Sequence, residues 1–227
     1  MIKASLPDHS SILLVGSPGI GLLEFNISLL KDYLTQDVSV IFVTVDVLPS
    51  DIITMMGHFG IDTKAVLGKK LFVVDYHSSL LGSNEERSPY PKSEVRPVSD
   101  LEGIMFNVNS IGSEHARPVR VFLYTLSTLF LYNQSNVVLK FFQISSSKVR
   151  STYGTMIFSI HDSVHDDKTV NHLMAIADGV IELKFDDDLN RRMRIRHMRG
   201  YPTSSQWVPF EIRGEAAETC PALLEWR

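Results

Sequence analysis

Runs of apolar residues about as long as a β-strand alternate along the chain with segments of helical periodicity. The apolar runs occupy residues 12–15, 38–45, 71–74, 119–123, 155–160 and 179–183. Apolar positions recur at helical spacing over residues 22–34 and 126–149, which predicts a helix in each segment. This alternation is typical of stacked βαβ units, so we predict an α/β fold with a mostly parallel central sheet.

Three consecutive predicted strands are apolar throughout, which indicates a sheet covered by helices on both faces. After Asp186 the pattern changes, because residues 190–199 and 207–212 alternate polar and apolar positions around a turn at 200–205. That pattern predicts a C-terminal antiparallel hairpin. Residues 77–97 hold three prolines, several serines and a cluster of charges, which predicts a long surface loop.

Length and composition narrow the class of protein. The chain has 227 residues, enough for one sizeable domain, and its net charge of −4 disfavours a protein that coats nucleic acid. Its single cysteine, Cys220, cannot form an internal disulfide, and its first apolar run is too short to span a membrane. We expect a cytoplasmic protein that does not insert into membranes.

A glycine-rich turn directly follows the first predicted strand and precedes the first predicted helix. It reads Gly16-Ser17-Pro18-Gly19-Ile20-Gly21-Leu22-Leu23. The spacing from Gly16 to Gly21 is that of a phosphate-binding loop, in which backbone N–H groups face a phosphate. However, Leu22 replaces the lysine and Leu23 the hydroxyl residue that holds magnesium. The turn alone leaves two interpretations open, a vestigial nucleotide site and a plain strand-to-helix turn whose leucines begin an amphipathic helix.

Further motifs follow in a recognisable order. Residues 44–53 read Thr-Val-Asp-Val-Leu-Pro-Ser-Asp-Ile-Ile, residues 119–129 read Val-Arg-Val-Phe-Leu-Tyr-Thr-Leu-Ser-Thr-Leu, residues 177–181 read Ala-Asp-Gly-Val-Ile, residues 198–200 read Met-Arg-Gly and residues 209–212 read Pro-Phe-Glu-Ile. From about residue 11 to residue 213 the chain resembles the KaiC-like family of RecA-superfamily P-loop ATPases. The resemblance implies a RecA-like P-loop NTPase fold, as one domain over residues 1–227 with a short tail at 214–227.

The same resemblance implies a degenerate ATPase site. Where the family has two glutamates that activate water, this chain has Asp46 and Val47, and where the family has its magnesium-binding aspartate, it has Tyr124. We therefore expect no catalytic residue beyond a vestigial Asp46, no metal, and at most ATP bound without magnesium. Asp46 also suits a second interpretation, as an acid placed at the positive end of the helix that follows.

Members of the family form rings in which a lysine and an arginine of the C-terminal hairpin reach the neighbour's nucleotide. His197 and Arg199 occupy these positions, and the two-residue period of a strand places them on one face. The resemblance implies a homo-oligomer, as a dimer or hexameric ring, or assembly with a related KaiC-like subunit or a regulatory protein.

Two other patterns of charged and histidine residues each have two interpretations. Five arginines between Arg191 and Arg199 suggest a nucleic-acid patch, but the acidic total favours a solvated or subunit-facing hairpin. Three histidines, His161, His165 and His172, lie near aspartates but lack a recognised ligand spacing, so no metal site is predicted there.

The leading functional hypothesis is a non-hydrolysing pseudo-ATPase that regulates or scaffolds partners. The second is an ATP-binding, slowly hydrolysing enzyme with Lys31, Lys69 or a neighbour's residue as substitute. A recombinase-like role on DNA is the third, and the acidic balance disfavours it.

Overall fold

A nine-stranded sheet with helices on both faces organises the molecule. The computed structural model describes residues 6–82, 89–115, 117–149 and 154–212. Its strands are β1 Ser10–Gly16, β2 Ser39–Thr44, β3 Leu71–Asp75, β4 Val95–Pro97, β5 Val119–Tyr124, β6 Gly154–His161, β7 Gly179–Phe185, β8 Arg191–Met198 and β9 Val208–Pro209. Its helices are α1 Leu22–Leu34, α2 Pro49–His58, α3 Thr63–Val66, α4 His77–Leu80, α5 Leu101–His115, α6 Leu126–Tyr132, α7 Ser135–Lys148 and α8 Asp167–Ile176.

The strand order across the sheet is β4-β3-β2-β5-β6-β1-β7-β8-β9. The seven strands from β4 to β7 are parallel, whereas β8 runs antiparallel to β7 and β9 antiparallel to β8. The predicted α/β class, the six predicted strands and the terminal antiparallel hairpin are therefore confirmed. Because β1, β2, β5 and β6 are parallel, their carboxyl ends meet at one edge of the sheet.

The sheet is buried on both faces, as its continuous apolar runs predict. On β1, Leu13 and Val15 pack into the core shared with α5, α7 and α8. Ile12 and Leu14 point to the other face and pack with α1 and α2. The alternate side chains of one strand thus supply two separate cores.

Two sequence predictions need correction. Residues 126–149 form two helices instead of one, because Asn133 is extended and its side-chain Nδ2 donates to the carbonyl of Leu129 at 3.0 Å, which ends α6. The segment 77–97 is not only a loop, since it begins with α4 and ends with β4. Val95 pairs with Val73 of β3, and Pro97 is tolerated because β4 is the edge strand.

Residues 83–88 of the predicted loop, and the predicted tail at 214–227 with Cys220, lie outside the described residues. No helix within the described ranges has the length and apolar character needed to cross a membrane.

Candidate functional site

The glycine-rich turn lies at the carboxyl end of β1, where the sequence places it. Gly16 is the last residue of β1, and Gly21 is the N-cap of α1 with a φ of 90°, a conformation that favours glycine. The backbone N–H of Ser17 donates to the carbonyl of Leu183 at 3.2 Å, and that of Ile20 donates to Ser17 at 3.1 Å. One hydrogen bond therefore attaches the loop to β7, and another closes a turn within the loop.

Apolar side chains fill the space against the start of this loop. A β-carbon on Gly16 would lie 2.9 Å from Leu22 Cδ1 and 3.0 Å from Ile20 Cγ2. Ile20 is 0% exposed, Leu22 2% and Leu23 8%. The position at which a P-loop carries its lysine is thus part of the hydrophobic core, together with its neighbours on both sides.

The C-terminal segment covers the first turn of α1 from the other side. The ring of Phe210 packs edge-on against Phe25, with centroids 5.6 Å apart, and Ile212 lies so close to Gly21 that a β-carbon there would collide with it. Arg191 Nε donates to the carbonyl of Ile20 at 3.0 Å. The sequence showed Phe210 and Ile212 only as part of a motif and gave no sign that they cover the loop.

Tyr124 ends β5 at the position of the family's magnesium-binding aspartate. It is 9% exposed, and its ring meets that of His161 edge-on at 6.4 Å. Burial raises the pKa of Tyr124, and the negative charges of Asp46 and Glu24 raise it further. The phenol is therefore neutral and offers a metal ion no anionic oxygen.

Asp46 lies beside Thr125, the residue after Tyr124. The hydroxyl of Thr125 donates to Asp46 Oδ2 at 3.2 Å. Helix α2 begins further along, with Leu48 as its N-cap and Asp51 as the acid of its first turn. Asp46 precedes that N-cap, and its carboxylate accepts a hydrogen bond from the residue that follows β5.

The histidines near the end of β6 form hydrogen bonds with a serine, and the same region contacts the loop. The N–H of His161 donates to Ser127 Oγ at 3.0 Å, and His165 Nε2 lies 3.0 Å from the same oxygen. Ser17 Oγ donates to Asp162 Oδ2 at 3.3 Å. Burial lowers the pKa of His165, although Asp166 opposes this. Within the described ranges, no group of three or more His, Cys, Asp or Glu side chains is arranged to hold a metal ion.

His197 and Arg199 lie at the opposite edge of the sheet from the loop. His197 pairs with Val180 near the start of β7, and its Nε2 lies 3.3 Å from the carbonyl of Ala177. Arg199, whose side chain is 60% exposed, forms an ion pair with Asp178 at 2.6 Å. Asp178 also accepts hydrogen bonds from the N–H and hydroxyl of Ser11, at the start of β1. The two residues are thus separated from their own Gly16 by the length of β1.

Three other arginines of β8 form ion pairs with acids on β7 or in the turn that follows it. Arg192 pairs with Asp186 at 2.7 Å, while Arg194 and Arg196 both pair with Glu182, the latter at 3.1 Å. These ion pairs hold part of the arginine charge against carboxylates of the same chain, although Glu182 serves two arginines and Arg191 donates to the carbonyl of Ile20.

Comparison with known proteins places the chain among KaiC-like sequences. The family described as "ATPase: KaiC" matches residues 1–222. The UPF0273 protein PH0284 of Pyrococcus horikoshii is 24% identical over 220 residues, covering 93% of this chain and 86% of the relative. A UPF0273 protein of Sulfurisphaera tokodaii is 24% identical over 223 residues, covering 95% of this chain and 76% of the relative.

A solved structure shows the same fold. The KaiC-like protein PH0186 from Pyrococcus horikoshii OT3 superposes with a TM-score of 0.73 at 18% sequence identity, covering 93% of this chain and 89% of that one. The likeness supports the α/β fold described above. At this identity it concerns the fold alone.

Proposed function

The chain belongs to the KaiC family of ATPases, and we propose that it is a non-hydrolysing member that regulates or scaffolds partners through oligomerisation. The observation that carries this proposal is the packing of Leu22 and Ile20 against Gly16. A P-loop holds phosphate with inward-facing N–H groups and a lysine ammonium. Here two buried apolar side chains border the space that the phosphate would occupy. A triphosphate bound there would lose its hydration and gain no positively charged partner.

The loss of magnesium ligands supports the same conclusion. Magnesium at such a site is held by the loop hydroxyl and by a carboxylate at the end of the neighbouring strand. Leu23 and Tyr124 occupy these positions, and both are buried. Asp46 is the one remaining acid of the family's catalytic pair, and it already accepts a hydrogen bond from Thr125. A single acid without a metal lacks the charge stabilisation that phosphoryl transfer requires.

A second candidate function is ATP binding with slow hydrolysis. In its favour, the N-cap Gly21 leaves the first turn of α1 without a side-chain cap, so the N–H groups there are not held by a side chain. Neither of the lysines considered from the sequence fits this role. Lys31 lies in the last turn of α1, and its Nζ donates to the carbonyl of Phe59 at 2.6 Å. Lys69 precedes β3, which lies four strands away from β1 in the order of the sheet. This candidate would therefore need a cation from another subunit.

The geometry also supports contact between copies of the chain or with a related KaiC-like subunit. Arg199 and His197 are too far from their own loop to act on it, but Arg199 is exposed at the amino edge of the sheet. We infer that this cation contacts the carboxyl edge of a neighbouring subunit. We therefore include a dimer or ring in the proposal, with Arg199 at the contact.

The proposal is tested by incubating the purified protein with ATP and magnesium and by titrating its thermal unfolding with ATP, ADP and AMP. We expect no phosphate release above background and no rise in melting temperature, because only a ligand that binds the folded state stabilises it. Nucleotide-dependent stabilisation with turnover would favour the second candidate. A rise in melting temperature without phosphate release would indicate a scaffold protein that binds nucleotide but does not hydrolyse it.

A further inference from the structure

A cleft with a volume of about 460 Å³ lies between helix α8 and the β7–β8 hairpin. Val15 of β1 and Val170 and Met174 of α8 line it, and all three belong to the core on the face of the sheet opposite α1. The volume is within the range of roughly 300–1,000 Å³ that is usual for small-molecule sites. Neither the glycine-rich loop nor Arg199 lines this cleft, so it is separate from the site described above.

Helix α8 supplies an acidic wall of the cleft. The lining residues Asp167, Val170, Asn171 and Met174 have the spacing of one helix face. The carboxylate of Asp167 is exposed and forms no hydrogen bond or ion pair with any residue in the described ranges. Asp162, just before α8, lines the cleft beside it. This wall therefore presents negative charge that the described part of the chain does not neutralise.

The opposite wall, formed by β7 and β8, carries an excess of positive charge. Its three cations are Lys184, Arg194 and Arg196, and its one carboxylate is Glu182, with which both arginines pair. The ammonium of Lys184 lies 4.4 Å from the ring centroid of Trp207, and it forms no ion pair with a described residue. The ring of Trp207 also covers Arg194 at 4.4 Å, so an aromatic surface borders the cations.

The two walls face each other without neutralising each other. Among the described residues, no ion pair joins Asp167 to any of the three cations, so open space separates the opposite charges. His165 also lines the cleft, and it is neutral at pH 7 because burial lowers its pKa from the usual 6.5. A ligand of one sign would be repelled by one of the walls. A ligand with an ammonium at one end and a carboxylate at the other would form charge-assisted hydrogen bonds with both.

We propose that this cleft binds a zwitterionic amino acid or short peptide, with its ammonium at Asp167 and its carboxylate at Lys184. Asp167 begins α8 soon after β6, and Lys184 is the last residue but one of β7, so both lie at the carboxyl edge of the sheet. An extended dipeptide separates its terminal charges by roughly 7 Å and so can reach both walls. Its side chains would contact Val170, Met174 and the ring of Trp207.

The inference goes beyond the proposed function and does not depend on whether ATP binds or whether Arg199 joins subunits. Calorimetric titration of the wild-type protein tests it with leucyl-leucine, with the N-acetylated and C-amidated forms of that dipeptide, and with leucine. We expect leucyl-leucine to bind, and each blocked form to bind at least about tenfold more weakly because it lacks one of the two charges. Leucine that binds as tightly as the dipeptide would identify a free amino acid as the source, and weaker leucine binding would identify a peptide.

Two variants assign each charge to its wall. In Asp167→Asn we expect acetylation to cost no further affinity, because the partner of the ammonium is gone, while amidation still weakens binding. Lys184→Gln should show the reverse. The matched controls are Asp187→Asn and Lys168→Gln, since both side chains are exposed but lie outside the cleft lining, and both variants should bind like wild type.

The inference fails if leucyl-leucine and leucine produce neither heat nor a rise in melting temperature. It also fails if the blocked forms bind as tightly as the zwitterion, or if the Asp167 and Lys184 variants bind like wild type. Thermal unfolding of each variant verifies that the fold is retained.

Discussion

Leu22 packs against Gly16 across the glycine-rich loop, so closely that a β-carbon on Gly16 would lie 2.9 Å from Leu22 Cδ1. In a phosphate-binding loop the residue at position 22 is a lysine that reaches the phosphates. Here its replacement adds a side chain to the core that α1 shares with β1. The leucine at position 22 thus both removes the cation and packs an apolar side chain against Gly16.

Restoring the lysine should damage the fold without restoring activity. Leu22→Lys places an ammonium where the side chain is 2% exposed, so we expect the free energy of unfolding to fall by about 2–4 kcal/mol. ATP turnover should remain at background, because Leu23 and Tyr124 still occupy the magnesium positions. Leu131→Lys is the control, since Leu131 is 75% exposed and should change stability by less than about 0.5 kcal/mol. Chemical denaturation measures both, and equal stability of the two variants would contradict the burial of Leu22.

Substitutions at two glycines of the loop distinguish the cost of backbone strain from the cost of a steric collision. Gly19 and Gly21 both have positive φ, at 80° and 90°, but a β-carbon on Gly19 meets nothing within 4 Å, whereas one on Gly21 meets Ile212. We expect Gly19→Ala to cost about 1 kcal/mol from strain alone and Gly21→Ala to cost more. The double variant Gly21→Ala/Ile212→Ala should lose less than the sum of its single variants. Additive losses in denaturant titrations would show that Ile212 does not cover Gly21.

The pH dependence of stability should depend on His165. Burial lowers the pKa of this side chain from its usual 6.5. As the pH falls through 6.5, the unfolded chain takes up a proton that the folded protein resists, so the free energy of unfolding decreases until the pH reaches the folded pKa. His165→Gln removes this contribution and should make stability between pH 7 and that lower value less dependent on pH. An unchanged slope in urea titrations across this range would contradict the burial of His165.

Much of the fold could be predicted from sequence, because continuous apolar runs identify buried parallel strands wherever they occur. The break between α6 and α7 was missed, since it depends on the Asn133 side chain competing for a helical carbonyl. Strand β4 was missed because three residues that end in a proline carry little pattern, and their pairing with β3 is tertiary.

The candidate site was predictable only in part. The spacing of Gly16 and Gly21 located the loop, and the substitutions at Leu22, Leu23 and Tyr124 indicated what it lacks. The contact of Ile212 with Gly21 joins residues far apart in sequence, and no local pattern encodes it. The hydrogen bond between Asp46 and Thr125 likewise joins residues that follow two different strands, β2 and β5, so no local pattern indicates it.

Self-association should depend on Arg199 and not on the neighbouring arginines. Arg199→Ala removes an exposed cation at the amino edge of the sheet, so we expect dimer or ring formation to weaken about tenfold or more in sedimentation velocity. Arg196→Ala is the matched control, because Arg196 is also exposed and also forms an ion pair, with Glu182, but lies within β8 and not at its end. A monomeric wild type, or equal effects of the two substitutions, would remove Arg199 from the contact.

The most direct measurement is a crystal structure of the protein soaked with a non-hydrolysable ATP analogue and magnesium, inspected for density beside Gly19 and Gly21. The packing of Leu22 and Ile20 against Gly16 predicts an unchanged loop without a triphosphate. A triphosphate with a coordinated magnesium ion in that loop, and Leu22 displaced from Gly16, would contradict the account.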